Sequence, residues 1–251
     1  MKKEQIPILV VYGKQPVLEA LRSVHVMQKI IIAKEIDKKY AQKISSLAEK
    51  KNIEVTHEHK ANLQKICGPV LHQGIVAIMD EFRYLNEKQL IDIITSTDNP
   101  LVLILDQMQD PQNLGAIIRT AEIAGVTAIV LPEKGTASVN ATVAKTSVGA
   151  IFHSTIIRTN NLVDVIKMLQ NEKLTILAMV PHREETIYNT DLKRSLGIII
   201  GSEGKGVRKN IQTLCDGVIS IPGRGKVDSL NASVATAVVL FEAVRQRKYS
   251  D

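Results

Sequence analysis

The stretch "IIIGSEGKGVRKN", residues 198–210, runs a β-branched strand straight into Gly201, Gly204 and Gly206, with a helix starting near Val207. A strand that feeds a helix through a tight polar loop is the turn of a parallel, helix-covered sheet. Glycines there let a ligand approach the backbone, and amides at a helix start favour anions. The spacing is neither G-x-G-x-x-G nor G-x-x-x-x-G-K-[ST], which weakens the usual nucleotide readings. Glu203 sits inside the loop and would repel a phosphate. A neutral or cationic ligand group, or a hydrogen-bond acceptor role, suits it better. Without a ligand, the loop reads as a mobile strand-to-helix connection.

The same rhythm extends outward. Strand-like runs are "LVLIL" (101–105), "AIVL" (128–131), "LTILAM" (174–179), "LGIII" (196–200) and "GVISI" (217–221), with helical patterns between them and at the end of the chain. Nearly continuous apolar strands alternating with helices imply a parallel sheet covered on both faces. Such sheets bind ligands beyond the strand carboxyl ends. The first eighty residues read as a smaller α/β unit. Its strands are "KIIIA" (29–33), "IEVTH" and "GIVAIM" (74–79), and its helices are "VLEALRS" and "DKKYAQKISSLAEKKN". Between the units "DEFRYLNEKQLIDIITSTDNP" is a linker with one short helix, closed by turn chemistry. The expected division is 1–80, a linker at 81–98, and 99–251.

Composition bounds the function. The chain has 251 residues, 45% hydrophobic and 23% charged, with a net charge of +6 and a pI of about 9.2. That is ordinary globular composition with a basic excess that favours polyanion partners. Most of the excess lies in the first 95 residues. Its densest run is Lys34, Lys38, Lys39, Lys43, Lys50 and Lys51, which reads either as a solvated helix face or as an RNA-backbone contact. Cys67 and Cys215 offer neither metal spacing nor a disulfide framework, so a reducing cytoplasm is expected. The N-terminal "MKKEQIPILVVYGKQP" is too short for a signal peptide, and no run reaches membrane-spanning length. His57 and His59 have no third ligand in view and read as a solvated connection, so no metal is expected.

Two further loops resemble the first in character. In "LDQMQDPQNLGAIIRTAEIAG" a strand ends near Leu105, and Asn113 is a candidate cap for the helix that follows. Arg119, within that helix, reads as an i,i+3 partner of Glu122 unless something else engages it. In "ISIPGRGKVDSLNASVATAVVLFEAVRQR" a strand ends in Pro222, Gly223 and Gly225. Ser229 is a good N-cap there, which leaves Asn231 and Ser233 without a purpose as caps. The helix itself has no charge from Val234 to Phe241.

Taken in order, "DPQNLGAIIRTAEIAG", "IIIGSEGKGV" and "ISIPGRGKVDSLNASVATAVVLFEAVRQR" resemble the three motifs of the SpoU family of the SPOUT class. These are S-adenosylmethionine-dependent RNA ribose 2′-O-methyltransferases. The likeness covers roughly residues 100–251. The segments "VYGKQPVLEAL" and "LHQGIVAI" are similar to the L30e-like substrate-binding domain of the branch that methylates a guanosine of 23S rRNA. The resemblance implies a trefoil-knotted α/β catalytic domain, a buried apolar last helix and a homodimer. It implies a catalytic set of Asn113, Arg119, Glu203, Ser229 and Asn231. Gly201, Ile221 and Leu230 would cradle S-adenosylmethionine, mostly through backbone and apolar contact. The sequence departs from the motif at Gly223 and Ala232, both small replacements beside the implied cofactor.

No histidine lies in the three motifs. Arg119 would orient the ribose hydroxyl through a phosphate, or act as base at the cost of a deeply depressed pKa. Ribosomal RNA, 23S in particular, is the implied partner. Rivals are a tRNA ribose methyltransferase, a resistance-type methyltransferase of 23S rRNA, and a non-catalytic rRNA-binding assembly factor. Residues 1–80 count against the first, and the full polar set counts against the last.

Overall fold

The computed structural model describes residues 8–249, so the first seven residues of the N-terminal segment lie outside it. In chain order the elements are β1 (Ile8–Tyr12), α1 (Lys14–Arg22), β2 (Met27–Ala33), α2 (Lys38–Glu49), β3 (Glu54–Glu58), α3 (Lys60–Cys67) and β4 (Ile75–Asp80). Then follow α4 (Glu87–Ser96), β5 (Leu101–Asp106), α5 (Pro111–Ile123), β6 (Ala128–Pro132) and α6 (Ala141–Thr146). After a single 3-10 turn come β7 (Ile156–Thr159), α7 (Leu162–Asn171), β8 (Thr175–Met179) and β9 (Leu196–Gly201). The chain finishes with α8 (Lys209–Gln212), β10 (Gly217–Ile219) and α9 (Ala232–Tyr249). The fold divides into two compact units. One takes in residues up to Arg83 together with Ser138–His153; the other takes in Tyr84–Ala137 and Ser154 onward.

The first unit is built on a four-stranded sheet of order β1-β4-β2-β3. β4 lies antiparallel to both β1 and β2, while β3 is parallel to β2. The isoleucine run of β2 is what buries it, with Ile30, Ile31 and Ile32 all in the core. α2 is capped by Asp37, whose carboxylate accepts from the Tyr40 amide at 2.9 Å, and it sinks Ile44 and Ala48. Tyr40 adds a second tie by donating its hydroxyl to the Lys14 carbonyl at 2.7 Å. α3 was not legible as a helix: His57 and Glu58 end β3, and His59 precedes α3 while its Nδ1 lies 3.4 Å from Glu35. β1 is a strand where the sequence shows only a short apolar run.

The segment Ser138–His153 belongs to this unit although it lies fifty-odd residues downstream. α6, capped by Asn140, buries Val143 and Ala144 and packs against β1. Lys145 extends its ammonium toward the Gln73 side chain (3.3 Å) and the Leu71 carbonyl (3.5 Å), over the Tyr12 ring. Gly13 makes room for it, because a Cβ there would meet Lys145 Nζ at 2.5 Å and the residue already sits at φ +99°. Burial lowers the pKa of this lysine. Further along, His153 Nε2 reaches Glu19 at 2.9 Å.

The second unit is a six-stranded, wholly parallel sheet of order β10-β8-β9-β5-β6-β7. The two central strands, β5 and β9, are buried at every position, which is why their sequences read as unbroken apolar runs. α4 is closed by a capping box between Asn86 and Gln89 and sends Leu90 and Ile94 into the core shared with β5, β6, β8 and α7. β7 was not legible as a strand, being four residues at the sheet edge. α9 packs against α5. Its C-terminal half ties down the segment before β9: Gln246 accepts from the Leu192 amide at 2.9 Å and donates to the Ile187 and Thr190 carbonyls.

Candidate active site

Three strand-to-helix connections carry the polar chemistry, and the register puts two of them side by side. Asp106 at the end of β5 pairs with Gly201 at the end of β9. After β5 the chain turns into α5 under Asp110, whose carboxylate accepts from the Gln112 amide at 2.9 Å, with Pro111 in the first turn. The expected cap, Asn113, is therefore not the cap. It is the third residue of the helix, and its carboxamide is left free to work elsewhere.

At α9 the roles are corrected in the same way. Ser229 is exposed and does not cap the helix. Asn231 does: its Oδ1 accepts from the amides of Ser233 (2.9 Å) and Val234 (3.4 Å) and from the Ser233 hydroxyl (2.6 Å). This explains the crowding of polar groups ahead of an apolar helix. The oxygen of Asn231 serves the cap, and its amide nitrogen is aimed at another loop.

Asn231 Nδ2 donates to Asn113 Oδ1 at 3.1 Å and to Glu203 Oε1 at 3.2 Å, and Asn113 Nδ2 donates to Glu203 Oε2 at 3.1 Å. One side chain from each loop closes a triangle. Both oxygens of Glu203 are occupied by amide donors, so the carboxylate works as a double acceptor, the role its place among the glycines suggested. Asn113, Glu203 and Asn231 are thus brought together. Ser229 is not in the triangle, and neither is Arg119.

Arg119 lies six residues beyond Asn113, about 9 Å along α5 and about a third of a turn around it. It is exposed, and no ion pair joins it to Glu122 among the described residues. The modest i,i+3 explanation for this arginine therefore loses its support. Ile123 sits one turn further on the same face and is 62% exposed.

Of the implied cofactor residues, Gly201 is buried, and the reason for glycine is local. A Cβ there would lie 1.9 Å from the Gly206 carbonyl carbon and 2.1 Å from the Val207 nitrogen. The loop doubles back over its own start, with the Gly206 amide donating to the Ser202 carbonyl at 2.9 Å. Ile221 is half-buried just after β10, and Leu230 is 49% exposed on an otherwise polar loop. An exposed apolar side chain beside this loop suits contact with an apolar part of a ligand. At Gly223 a Cβ would meet nothing within 4 Å, so the departure there is sterically idle. Among the described residues, no group of three His, Cys, Asp or Glu is placed to hold a metal ion, and no helix is long and apolar enough to cross a membrane.

Sequence reasoning passed over Asp106. It is fully buried and holds Arg208. The signal was present: one carboxylate closes five apolar residues, and a buried acid demands a partner.

Comparison with known proteins converges on one group. Residues 100–241 match the SpoU rRNA Methylase family, and residues 10–85 match the family described as RNA 2′-O ribose methyltransferase substrate binding. The 23S rRNA (guanosine-2′-O-)-methyltransferase RlmB of Escherichia coli is 37% identical over 237 residues, 94% of this chain and 97% of that protein. The protein of that name from Xanthomonas campestris is 41% identical over 205 residues, 81% of this chain and 82% of its own. Among solved structures, the SpoU methyltransferase AviRb of Streptomyces viridochromogenes in complex with AdoMet superposes with a TM-score of 0.82 at 22% identity, covering 97% of this chain and 92% of that one. A TrmH/SpoU tRNA modifying enzyme of A. aeolicus covers only 64% of this chain and 82% of its own at a TM-score of 0.55 and 28% identity. With the methylase match over more than half of the chain and the relative aligned almost end to end, the chain belongs to the SpoU rRNA methylase family.

Proposed function

We propose that this chain methylates the ribose 2′-hydroxyl of a guanosine in 23S rRNA, with S-adenosylmethionine as donor. The observation that carries the reading is the Asn113–Glu203–Asn231 triangle, which locks the three motif loops into one floor at the sheet's carboxyl edge. Near end-to-end likeness to a 23S rRNA guanosine methyltransferase supports the choice of target. When bound, S-adenosylmethionine supplies a methyl group on a sulfonium, already a good leaving group.

The residues then have distinct tasks. Gly201, Ile221 and Leu230 hold the donor by backbone and apolar contact. Glu203 and the two asparagines fix the loop geometry against which the ribose is aligned, since alignment is where such a reaction gains most. Arg119 orients the hydroxyl through a neighbouring phosphate. Ser229, exposed at the head of the α9 loop, is a further ribose-side contact. The unit that contains residues 10–85, with Lys34, Lys38, Lys39, Lys43, Lys50 and Lys51, reads the RNA.

The chain works as a homodimer in the cytoplasm, joined through the catalytic unit. Ile123 on α5 and Val234 and Phe241 on α9 are 62%, 48% and 48% exposed, on two helices that pack together. A partner on that face covers the apolar residues and gives Arg119, one turn from Ile123, a second chain to act on. The catalytic unit follows the trefoil-knotted path that the resemblance implies.

The test has two stages. Calorimetry with S-adenosylmethionine asks whether the donor binds; ribose-methylation mapping of 23S rRNA from a deletion strain, before and after treatment with the protein, asks where the methyl goes. A donor-binding protein that restores no ribose methyl in 23S rRNA overturns the proposal.

A further inference from the structure

The triangle residues account for Glu203, but not for what holds its loop. Asp106 ends the central strand β5 with 0% of its surface exposed, directly opposite Gly201 in the strand register. Among the described residues, every group that engages its carboxylate comes from Arg208. The Arg208 amide donates to Oδ2 at 3.0 Å, Nε donates to Oδ1 at 2.9 Å and to Oδ2 at 3.1 Å, and the terminal guanidinium nitrogen lies 2.8 Å from Oδ1. Arg208 is the first residue past the glycine loop, immediately before α8. One carboxylate therefore sits beside the loop's first residue, Gly201, and binds the backbone and side chain of the residue that ends it.

Besides this pair, the glycine loop is held by the two bonds of Glu203, by the buried side chain of Val207, and by Gln212 Nε2, which donates to the Val207 carbonyl at 2.6 Å. Gly204 and Gly206 adopt φ +87° and +64°, and between Ser202 and Gly206 a single bridge closes it. Glycines confer freedom, so the conformation must be imposed from the ends. A planar guanidinium fork engaging both carboxylate oxygens imposes orientation as well as attraction, which a lysine ammonium does not.

We infer that Asp106 and Arg208 form a positioning pair that clamps the glycine loop and so presents Glu203 to Asn113 and Asn231. Neither is a catalytic residue. They act on methyl transfer through the loop, an assignment that rests on the proposed activity, whereas the clamp itself can be read without it.

The experiment uses the full chain with Arg208→Gln, Arg208→Lys and Asp106→Asn. In Arg208→Gln, amide hydrogen exchange at residues 202–207 accelerates about tenfold while β5 and β9 keep their protection. The single-turnover rate with S-adenosylmethionine and rRNA falls about tenfold or more, with KM for the RNA within about twofold of the parent. Arg208→Lys, which keeps the charge and loses the fork, lies between the two. Asp106→Asn combined with Arg208→Gln is no slower than Arg208→Gln alone, because both break one clamp. Unchanged exchange at 202–207 overturns the inference, as does exchange that rises equally through β5 and β9, which marks a merely structural ion pair. If Arg208→Gln does not fold, Arg208→Lys carries the same two readouts with the same criteria. Loop exchange that rises as stated in a protein with no methyl transfer to any RNA keeps the clamp and removes the proposed function instead.

Discussion

At the scale of single residues, the molecule assigns tasks that propensity cannot. Ser229 and Asn231 are near-equal N-caps by preference, and Asp110 and Asn113 are as well. Tertiary bonds decide how each candidate is used. Asn113 is drawn off by Glu203, and Asn231 does both jobs because its oxygen and nitrogen face different loops. Gly201 was legible as a special position, yet the reason, contact with Gly206 and Val207, is invisible in a one-dimensional pattern. Gly201→Ala should therefore displace the loop, and calorimetry should find S-adenosylmethionine binding weakened by about a hundredfold or more, in line with the steep cost of overpacking a closed backbone contact. Arg119→Ala should lower single-turnover methyl transfer by about a hundredfold or more while donor affinity changes little, the pattern of an interaction made only in the transition state. Arg119→Lys should remain impaired if the planar fork is what matters. A near-normal rate for Arg119→Ala would leave that side chain without a chemical task.

At the scale of elements, the buried strands were the most legible part of the chain. β5 and β9 announce themselves because both of their faces are covered, so nothing polar interrupts them until the carboxyl edge. β1, β7 and α3 were missed because short segments carry too little periodicity to distinguish them from loops. The α2 helix gives a measurable case of one element tied to another by a single hydroxyl. Burial pushes the Tyr40 phenol up to about 12, above the usual value near 10. The folded protein then holds that proton more tightly than the unfolded chain does. The associated stability is fully present below pH ~10 and is lost as pH rises toward ~12. Thermal melts should show a fall in Tm across that window that is shallower in Tyr40→Phe, with the variant about 1 kcal/mol less stable at neutral pH for the lost bond to the Lys14 carbonyl.

At the scale of the whole molecule, the chain does not pass through its two compact units once each, and the expected linker at 81–98 falls mostly within the second of them. The excursion at Ser138–His153 returns to the first unit, and nothing in the sequence of α6 marks it as foreign to its neighbours. Its membership follows from long-range contacts with β1 and α1, which composition and spacing do not encode. Removing residues 1–80 should consequently do more than abolish RNA reading. Val143, Ala144, Ile151 and Phe152 lose the partners that bury them, so the truncated protein should bind a hydrophobic dye such as ANS and sediment as aggregate. A truncated protein that stays soluble and dye-silent would show that this segment can settle elsewhere. For the intact chain, sedimentation at micromolar concentration should give a dimer, and Phe241→Glu on the exposed face of α9 should shift it toward monomer.

The returning segment also bears on the order in which the protein is made. The β1–β4 sheet is complete once Asp80 has been added, yet α6, which packs on β1 alongside α1 and α3, begins at Ala141, about 60 positions later. At ~5–20 residues per second of synthesis, that is a delay of ~3–12 s during which β1 lacks its α6 cover. The first unit is begun first but finished only after β5, α5 and β6 of the second have already emerged, so the two halves cannot fold strictly in sequence.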